Sequence, residues 1–167
     1  MKFPLLFAAL IAALPLSAMA SAPQPAKPVS LGLYSGRWYE IARTPNPRER
    51  GCKGATSVFS GMARGAFLVT DTCRRGSGPP KATTIKAAIL PGSQNAKFRM
   101  SVLGGLVHPE FWILDTAVNG DWAIMGTSGG HYVWLLSRQA PMSPADRTAA
   151  LARVAALGYP MARLEFD

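Results

Sequence analysis

Few residues in this chain have types and spacings that could do chemistry. Cys52 and Cys73 are its two cysteines, and His108 and His131 its two histidines. Neither histidine sits at ligand spacing from a cysteine, so they assemble no zinc-type site and no metal is expected. Gly126-Thr127-Ser128-Gly129-Gly130 fits the hydrolase pattern Gly-x-Ser-x-Gly. That chemistry needs the serine on a sharp strand-to-helix turn beside an oxyanion hole. Here a β-prone run, His131 to Arg138, follows instead. The pattern therefore reads as a hairpin turn, and no catalytic residue is assigned. What remains is charge: 18 Lys and Arg against 9 Asp and Glu, a formal +9. No helix-turn-helix, zinc-finger spacing or aromatic RNA-binding motif accompanies it, so no nucleic-acid partner is expected. Anionic lipid, an envelope surface or an acidic ligand fits that charge better.

The N-terminus sets the compartment. Lys2 precedes an apolar run over residues 3–16, and Ala18-Met19-Ala20 is a small-x-small site. Residues 1–20 read as a secretory signal peptide cleaved before Ser21. The run is too short for a membrane span, and Pro15 interrupts it. The protein is expected to be periplasmic or secreted. No cysteine stands at the new N-terminus, so it is not expected to be a lipoprotein. An oxidising compartment lets Cys52 and Cys73 pair. Residues 21–30 carry three prolines and predict an extended linker, with the folded domain over 31–167.

These residues need elements to position them. With 49% hydrophobic and 16% charged residues the chain is not disordered. Its 167 residues leave room for one domain, too little for a doubly wound nucleotide enzyme. Strands are expected at 36–43, 55–60, 66–72, 81–90, 97–103, 111–116, 122–127 and 131–138. In the fifth, Phe98, Met100 and Val102 alternate with Lys97, Arg99 and Ser101, so one face is buried. The midpoint between Cys52 and Cys73 falls inside the turn Gly61–Gly65. A hairpin folded there brings the two cysteines together. Ser143, Pro144 and Asp146 start a helix that ends before Gly158, and a last strand follows within 161–166. Leu151, Val154 and Leu157 form its apolar stripe. Eight such strands close into an up-and-down antiparallel barrel or stack as a sandwich; the C-terminal α-helix, able to cover a wall, favours the all-β barrel.

The ordered motifs resemble those of the lipocalin family. Gly36-Arg37-Trp38-Tyr39-Glu40-Ile41-Ala42-Arg43 matches its opening strand, and Tyr132-Val133-Trp134-Leu135-Leu136-Ser137-Arg138 its last barrel strand. Gly51-Cys52, Thr56 to Ser60 and Asp71-Thr72-Cys73 are similar to the bacterial outer-membrane group related to apolipoprotein D, and Leu114-Asp115 also fits. The resemblance implies an eight-stranded barrel with one helix on its wall, an apolar ligand cavity, no cofactor and no catalysis.

It also implies roles. Trp38 and Arg138 stack as structural residues at the closed end. Strand phase then turns Tyr132 and Trp134 inward, and Glu40 with them. Phe59, Phe98, Met100, Val102 and Trp112 are the other expected ligand-binding walls. The segments 43–53 and 74–81 belong to loops that rim the open end. Arg48, Arg50, Arg74 and Arg75 are expected there as a basic collar, with Arg43, Lys53 and Lys81 nearby. The function implied is binding or transport of an amphiphilic lipid, anionic at its head (a fatty acid or lysophospholipid), with contact to the envelope membrane surface. A protein-interaction module using the barrel rim, or a lipocalin-fold isomerase or hydrolase, are the alternatives. The facing of Leu68 against Val69 is left open.

Overall fold

The computed structural model describes residues 21–167, so the apolar N-terminal run and its cleavage site lie outside the described residues. The strands are β1 (Gly36–Arg43), β2 (Cys52–Ala63), β3 (Ala66–Arg75), β4 (Lys81–Ile89), β5 (Lys97–Ser101), β6 (Glu110–Thr116), β7 (Trp122–Thr127), β8 (Val133–Ser137) and β9 (Glu165–Phe166). Consecutive strands β1 to β8 pair antiparallel. The ring closes because β1 pairs with β2 on one side and β8 on the other. Closure decides for the barrel over the sandwich. β9 takes the edge of β1 at Ala42 and Arg43, beyond the stretch where β2 pairs.

The β2–β3 hairpin is longer and tighter than the sequence predicts. Its turn is Arg64-Gly65, both at positive φ, and Gly61 at φ +66 sits in a register shift between Ser60 and Ala63. Glycine is suited to such a kink because a Cβ penalises that conformation. Val69 faces the interior and Leu68 the outside, at 38% exposure, which resolves the open register.

The helix α1 (Pro144–Ala156) starts where Ser143 accepts a hydrogen bond from the Asp146 N–H at 3.1 Å. Pro144 occupies the first turn, where its missing N–H costs nothing. α1 buries Ala150 and Val154 against the outside of β7 and β8, so the stripe centres one residue away from Leu151, which stays partly exposed.

Two cores result. The inner one holds Trp38, Phe59, Phe67, Val69, Phe98, Met100, Ile113, Met125, Trp134 and Leu136. The outer one, under α1, holds Leu114, Trp122, Ile124, Val133, Leu135 and Tyr159. Trp112 belongs to this outer core, not to the cavity, which corrects the sequence reading. Its register explains why: it pairs with Lys97, whose Nζ lies 3.8 Å from the indole centre on the outer face. Phe111, paired with Phe98, faces inward in its place.

The Pro-rich segment is extended, as its composition predicts, yet it is not a free linker. The Ala22 N–H donates to Ser128 O, that of Ala26 to Leu114 O and that of Val29 to Gln94 O, each at 2.9–3.0 Å. Ala22 and Val29 are buried. Lys27 Nζ and Arg153 Nε reach the two oxygens of Asp115 at 3.2 and 2.5 Å. Burial alone would raise that carboxyl, but Arg153, the Thr116 N–H and Lys27 together hold it below the usual carboxylate range. One acid on β6 thus pins both the N-terminal strap and the helix.

Candidate functional site

The closed end is built on Trp38. The Arg138 guanidinium carbon lies 3.6 Å from the indole centre. Arg138 donates to the carbonyls of Ser35 at 2.7 Å and Arg37 at 3.0 Å, and the Trp38 indole N–H donates to Leu33 O at 3.1 Å. A 3-10 turn, Leu31–Tyr34, brings the Leu33 carbonyl under the barrel, with Ser35 and Arg37 following at the start of β1. Above it Tyr34, Phe59, Phe67 and Phe98 pack ring to ring, with centroids 4.9–6.4 Å apart. Phe98 points inward as expected but does not line the cavity; it is part of this aromatic plug. Strand period tells which face a residue occupies, not how high along the barrel it stands.

Beyond the plug lies a cavity of about 460 Å³ open at the other end. Such a volume is ordinary for a site that buries a small ligand. The cavity has two kinds of wall. β4 to β7 and the loop after β5 present Ile85, Met100, Val102, Phe111 and Met125, with Val107 and Pro109 above them and Thr127 at the end of β7. β1 to β3 and the β1–β2 loop present Glu40, Ser57, Asp71 and Glu49, with Phe59 and Val69. Tyr132, Trp134 and Leu136 complete the ring from β8 and its entry. Of the expected wall residues, Glu40, Phe59, Met100, Val102, Tyr132 and Trp134 therefore line the cavity, and Phe98 and Trp112 do not.

Glu49, Ser57, Asp71, Phe111 and Met125 were not read from the sequence. Pairing Phe98 with Phe111 in the β5–β6 hairpin is the signal that would have found Phe111.

Two carboxyls of the polar wall, Glu40 and Glu49, share one buried cation. Arg43 is buried, which corrects its expected place in the exposed rim. Its NH1 meets Glu40 Oε1 at 2.5 Å, its NH2 lies 3.3 Å from Glu165 and donates to Cys52 O, and its Nε is 3.8 Å from Glu49. Glu49 also accepts from the Trp134 indole N–H at 3.0 Å and from the Asn46 side-chain amide. Asp71 accepts from Ser57 Oγ at 2.6 Å. Burial, then the charge of Glu49, push Glu40 from 4.5 up to about 8 against the pull of Arg43. Burial first and Glu49 second also raise Asp71, against the Ser57 hydrogen bond.

A proton held by Glu40 makes stability depend on pH. The folded state keeps this proton up to about pH 8, whereas the unfolded chain loses it near 4.5. The contribution is whole below about pH 4.5 and disappears as pH rises through about 8. Glu40→Gln is expected to flatten the fall in unfolding midpoint across that window, measured by urea titration at a series of pH values. A variant that loses stability with pH as steeply as the parent would show that Glu40 is ionised in the fold.

The rim is basic. Arg48 lines the mouth, and Arg50, Arg74 and Arg75 are exposed beside it. The Asn46 side chain shapes the β1–β2 loop by accepting from the N–H groups of Arg48 and Glu49, both at 3.1 Å. Arg75 reaches across from β3 to the carbonyls of Arg50 and Arg48, so it fastens the loop. Cys52 and Cys73 form a disulfide beside it, with Cα atoms 5.5 Å apart. Ser128 lies in the turn between β7 and β8, where a strand follows, so Gly126–Gly130 is not a nucleophile elbow. A second cavity of about 510 Å³, outside the barrel between the strap, that turn and the end of α1, is lined by Ser21, His131, Tyr159 and Arg163 among others.

Comparison with known proteins agrees with this geometry. Residues 29–167 match the model of a lipocalin-like domain. The chain is 30% identical over 123 residues to an outer membrane lipoprotein, Blc, of Vibrio cholerae, covering 70% of each. It is 27% identical over 115 residues to a putative lipocalin, R877, of Acanthamoeba polyphaga mimivirus, covering 63% of this chain and 64% of that one. Insecticyanin from the tobacco hornworm superposes with a TM-score of 0.73 at 16% identity, over 89% of this chain and 85% of that one. Lobster apocrustacyanin A1 does so with 0.66 at 15%, over 90% and 91%.

Proposed function

Because the chain belongs to the lipocalin family, we propose that it binds an amphiphilic lipid, a fatty acid or a lysophospholipid, and does so in the periplasm or cell envelope. The observation that carries this reading is the 460 Å³ cavity with a continuous apolar wall and an open mouth. An acyl chain lying along Ile85, Met100, Val102, Phe111 and Met125 meets apolar side chains, with Thr127 the polar residue on that side. Each buried CH₂ contributes about 0.8 kcal/mol, or roughly fourfold in affinity. The disulfide and the envelope relative support an oxidising, extracytoplasmic setting. Binding rather than catalysis fits a site whose serine motif is a hairpin turn.

The head group is assigned to the rim, where Arg48, Arg50 and Arg74 give an anion several partly screened contacts of about 1 kcal/mol or less each. The carboxyl wall favours a second reading, in which a cationic or hydrogen-bond-donating head turns toward Glu40, Glu49 and Asp71. Competition with a fluorescent fatty acid separates the two. The competitors are an alkyl acid, its methyl ester, the alcohol and the amine, each in several chain lengths. The rim reading expects the acid to bind best and Arg48→Ala/Arg74→Ala to erase its advantage. An amine that binds best would hand the head group to the carboxyl wall. Affinity independent of chain length would sink the lipid reading itself.

A further inference from the structure

We propose that the open end of the barrel docks mouth-down on a bilayer containing anionic phospholipid. In this arrangement the tip of the β5–β6 loop enters the apolar layer and the rim arginines lie among the headgroups. The proposal builds on the lipid-binding reading above and names the surface from which the ligand is taken or to which it is given.

The loop is unusual on three counts. Leu103 and Leu106 are 68% and 85% exposed, and Val107 between them and the barrel is 45% exposed. Adjacent exposed apolar residues at a functional mouth mark a contact surface more than chance does. The loop is also held out by its own backbone. Val102 and Val107 exchange hydrogen bonds at 2.9 and 3.3 Å, and the Gly105 and Leu106 N–H groups bond back to Val102 and Leu103. Leu103 adopts φ +51, a strained conformation for a leucine that no core packing explains. Lastly, Val102, Val107 and Pro109 line the cavity, so apolar surface runs from the loop tip into the barrel.

Charge selects the partner. The loops after β1, β3, β5 and β7 share the open end because the strands alternate in direction. Arg48, Arg50, Lys53, Arg74 and Lys81 are all exposed there. The acids around them are engaged: Glu49 with Trp134 and Asn46, Glu110 with Arg99 at 3.5 Å, Glu165 with Arg43, and Asp167 with the N–H groups of Gly54 and Ala55. Apolar residues flanked by unpaired bases complement an anionic bilayer, which offers acyl chains and phosphates at the matching depths. The chain also enters the fold at this end, since the Ala22 N–H is bonded to Ser128 in the β7–β8 turn.

Vesicle co-sedimentation tests the proposal, with phosphatidylcholine alone and with added phosphatidylglycerol, at low and high salt. Each base near an anionic surface is worth about fivefold, so about three of the five reaching the headgroups give an expected preference on the order of a hundredfold for the anionic vesicles, falling with salt. Leu103→Asn/Leu106→Ser and Arg50→Glu/Arg74→Glu should each abolish it. These side chains are exposed, so the variants should melt like the parent. In Leu106→Trp the new indole should shift to shorter emission wavelengths when anionic vesicles are added. Unchanged emission, or equal sedimentation of parent and leucine variant, overturns the docking surface. Leucine-dependent self-association without vesicle binding would overturn it too. Binding of a fluorescent fatty acid in vesicle-free buffer reads the cavity separately, so a failure of docking is distinguishable from a failure of the lipid site.

Discussion

Trp38→Ala is expected to cost about 3–5 kcal/mol of stability while leaving the affinity of the folded protein for its ligand nearly intact. The indole is fully buried and does not line the cavity. It is sandwiched into the closed end by the Arg138 guanidinium 3.6 Å away, and its N–H holds the Leu33 carbonyl. Arg138 fastens the same 3-10 turn through the carbonyls of Gly32 and Leu33, and the chain just after it through Ser35 and Arg37. Removing the ring therefore opens a void, frees a carbonyl and leaves the guanidinium without its platform. In a domain of this size the loss lowers the melting temperature by roughly 6–20 °C. Urea unfolding and ligand titration on the folded fraction measure the two effects apart. A variant that melts like the parent but no longer binds ligand would mean that the closed end has been placed wrongly.

What the sequence reveals and what it hides divide along physical lines. Period two is a faithful reporter where one face of a strand is buried and the other wet. Phe98 and Met100 against Arg99 is such a case; β8 is buried on both faces, and its inward set Trp134 and Leu136 follows from the phase that Arg138 sets at the closed end. Period two falls silent on β6, where both faces are buried. Trp112 lies outside under the strap and helix, Phe111 inside, and hydrophobicity alone ranks them equally. It is also silent about height: Phe98 and Met100 share a face, yet one belongs to the aromatic plug and the other to the cavity. Polar cavity residues are hidden for a different reason. Ser57 and Asp71 look like ordinary solvent-facing positions of a hairpin, and only closure of the barrel turns that face into an interior. Arg43 looked like rim charge until β9 and the β1–β2 loop folded over it. The strap was legible as extended chain but not as docked chain, because its anchors are backbone hydrogen bonds and the distant pair Lys27–Asp115. The helix, by contrast, carries its start in three residues, Ser143, Pro144 and Asp146, and forms where they stand.

Replacing both cysteines, Cys52→Ala/Cys73→Ala, is expected to cost about 3 kcal/mol and to loosen the mouth before the rest of the barrel. The disulfide closes a loop with a sequence separation of 21, and in the chain-entropy model that constraint on the unfolded chain is worth about this much. Its location sets where the loss is felt. Cys52 pairs in register with Arg75, and Lys53 with Arg74, before the ladder shifts between Lys53 and Thr56. The bond thus clamps the open end of the β2–β3 hairpin just where backbone pairing is interrupted. Arg75 works in parallel, tying the β1–β2 loop to β3 through the carbonyls of Arg50 and Arg48. Without the disulfide, the amides of Cys52 and Arg75 should exchange faster than those of Phe59 and Val69, which pair deeper in the same hairpin. Affinity for a lipid should fall less than stability, because the apolar wall from β4 to β7 is untouched. The measurements are urea midpoints, site-resolved hydrogen exchange and a thiol titration of the natively purified parent under denaturing conditions. Two free thiols in the parent would remove the premise. A double variant with the parent's midpoint would show that Arg75 and the strand ladder hold the mouth without the covalent bond.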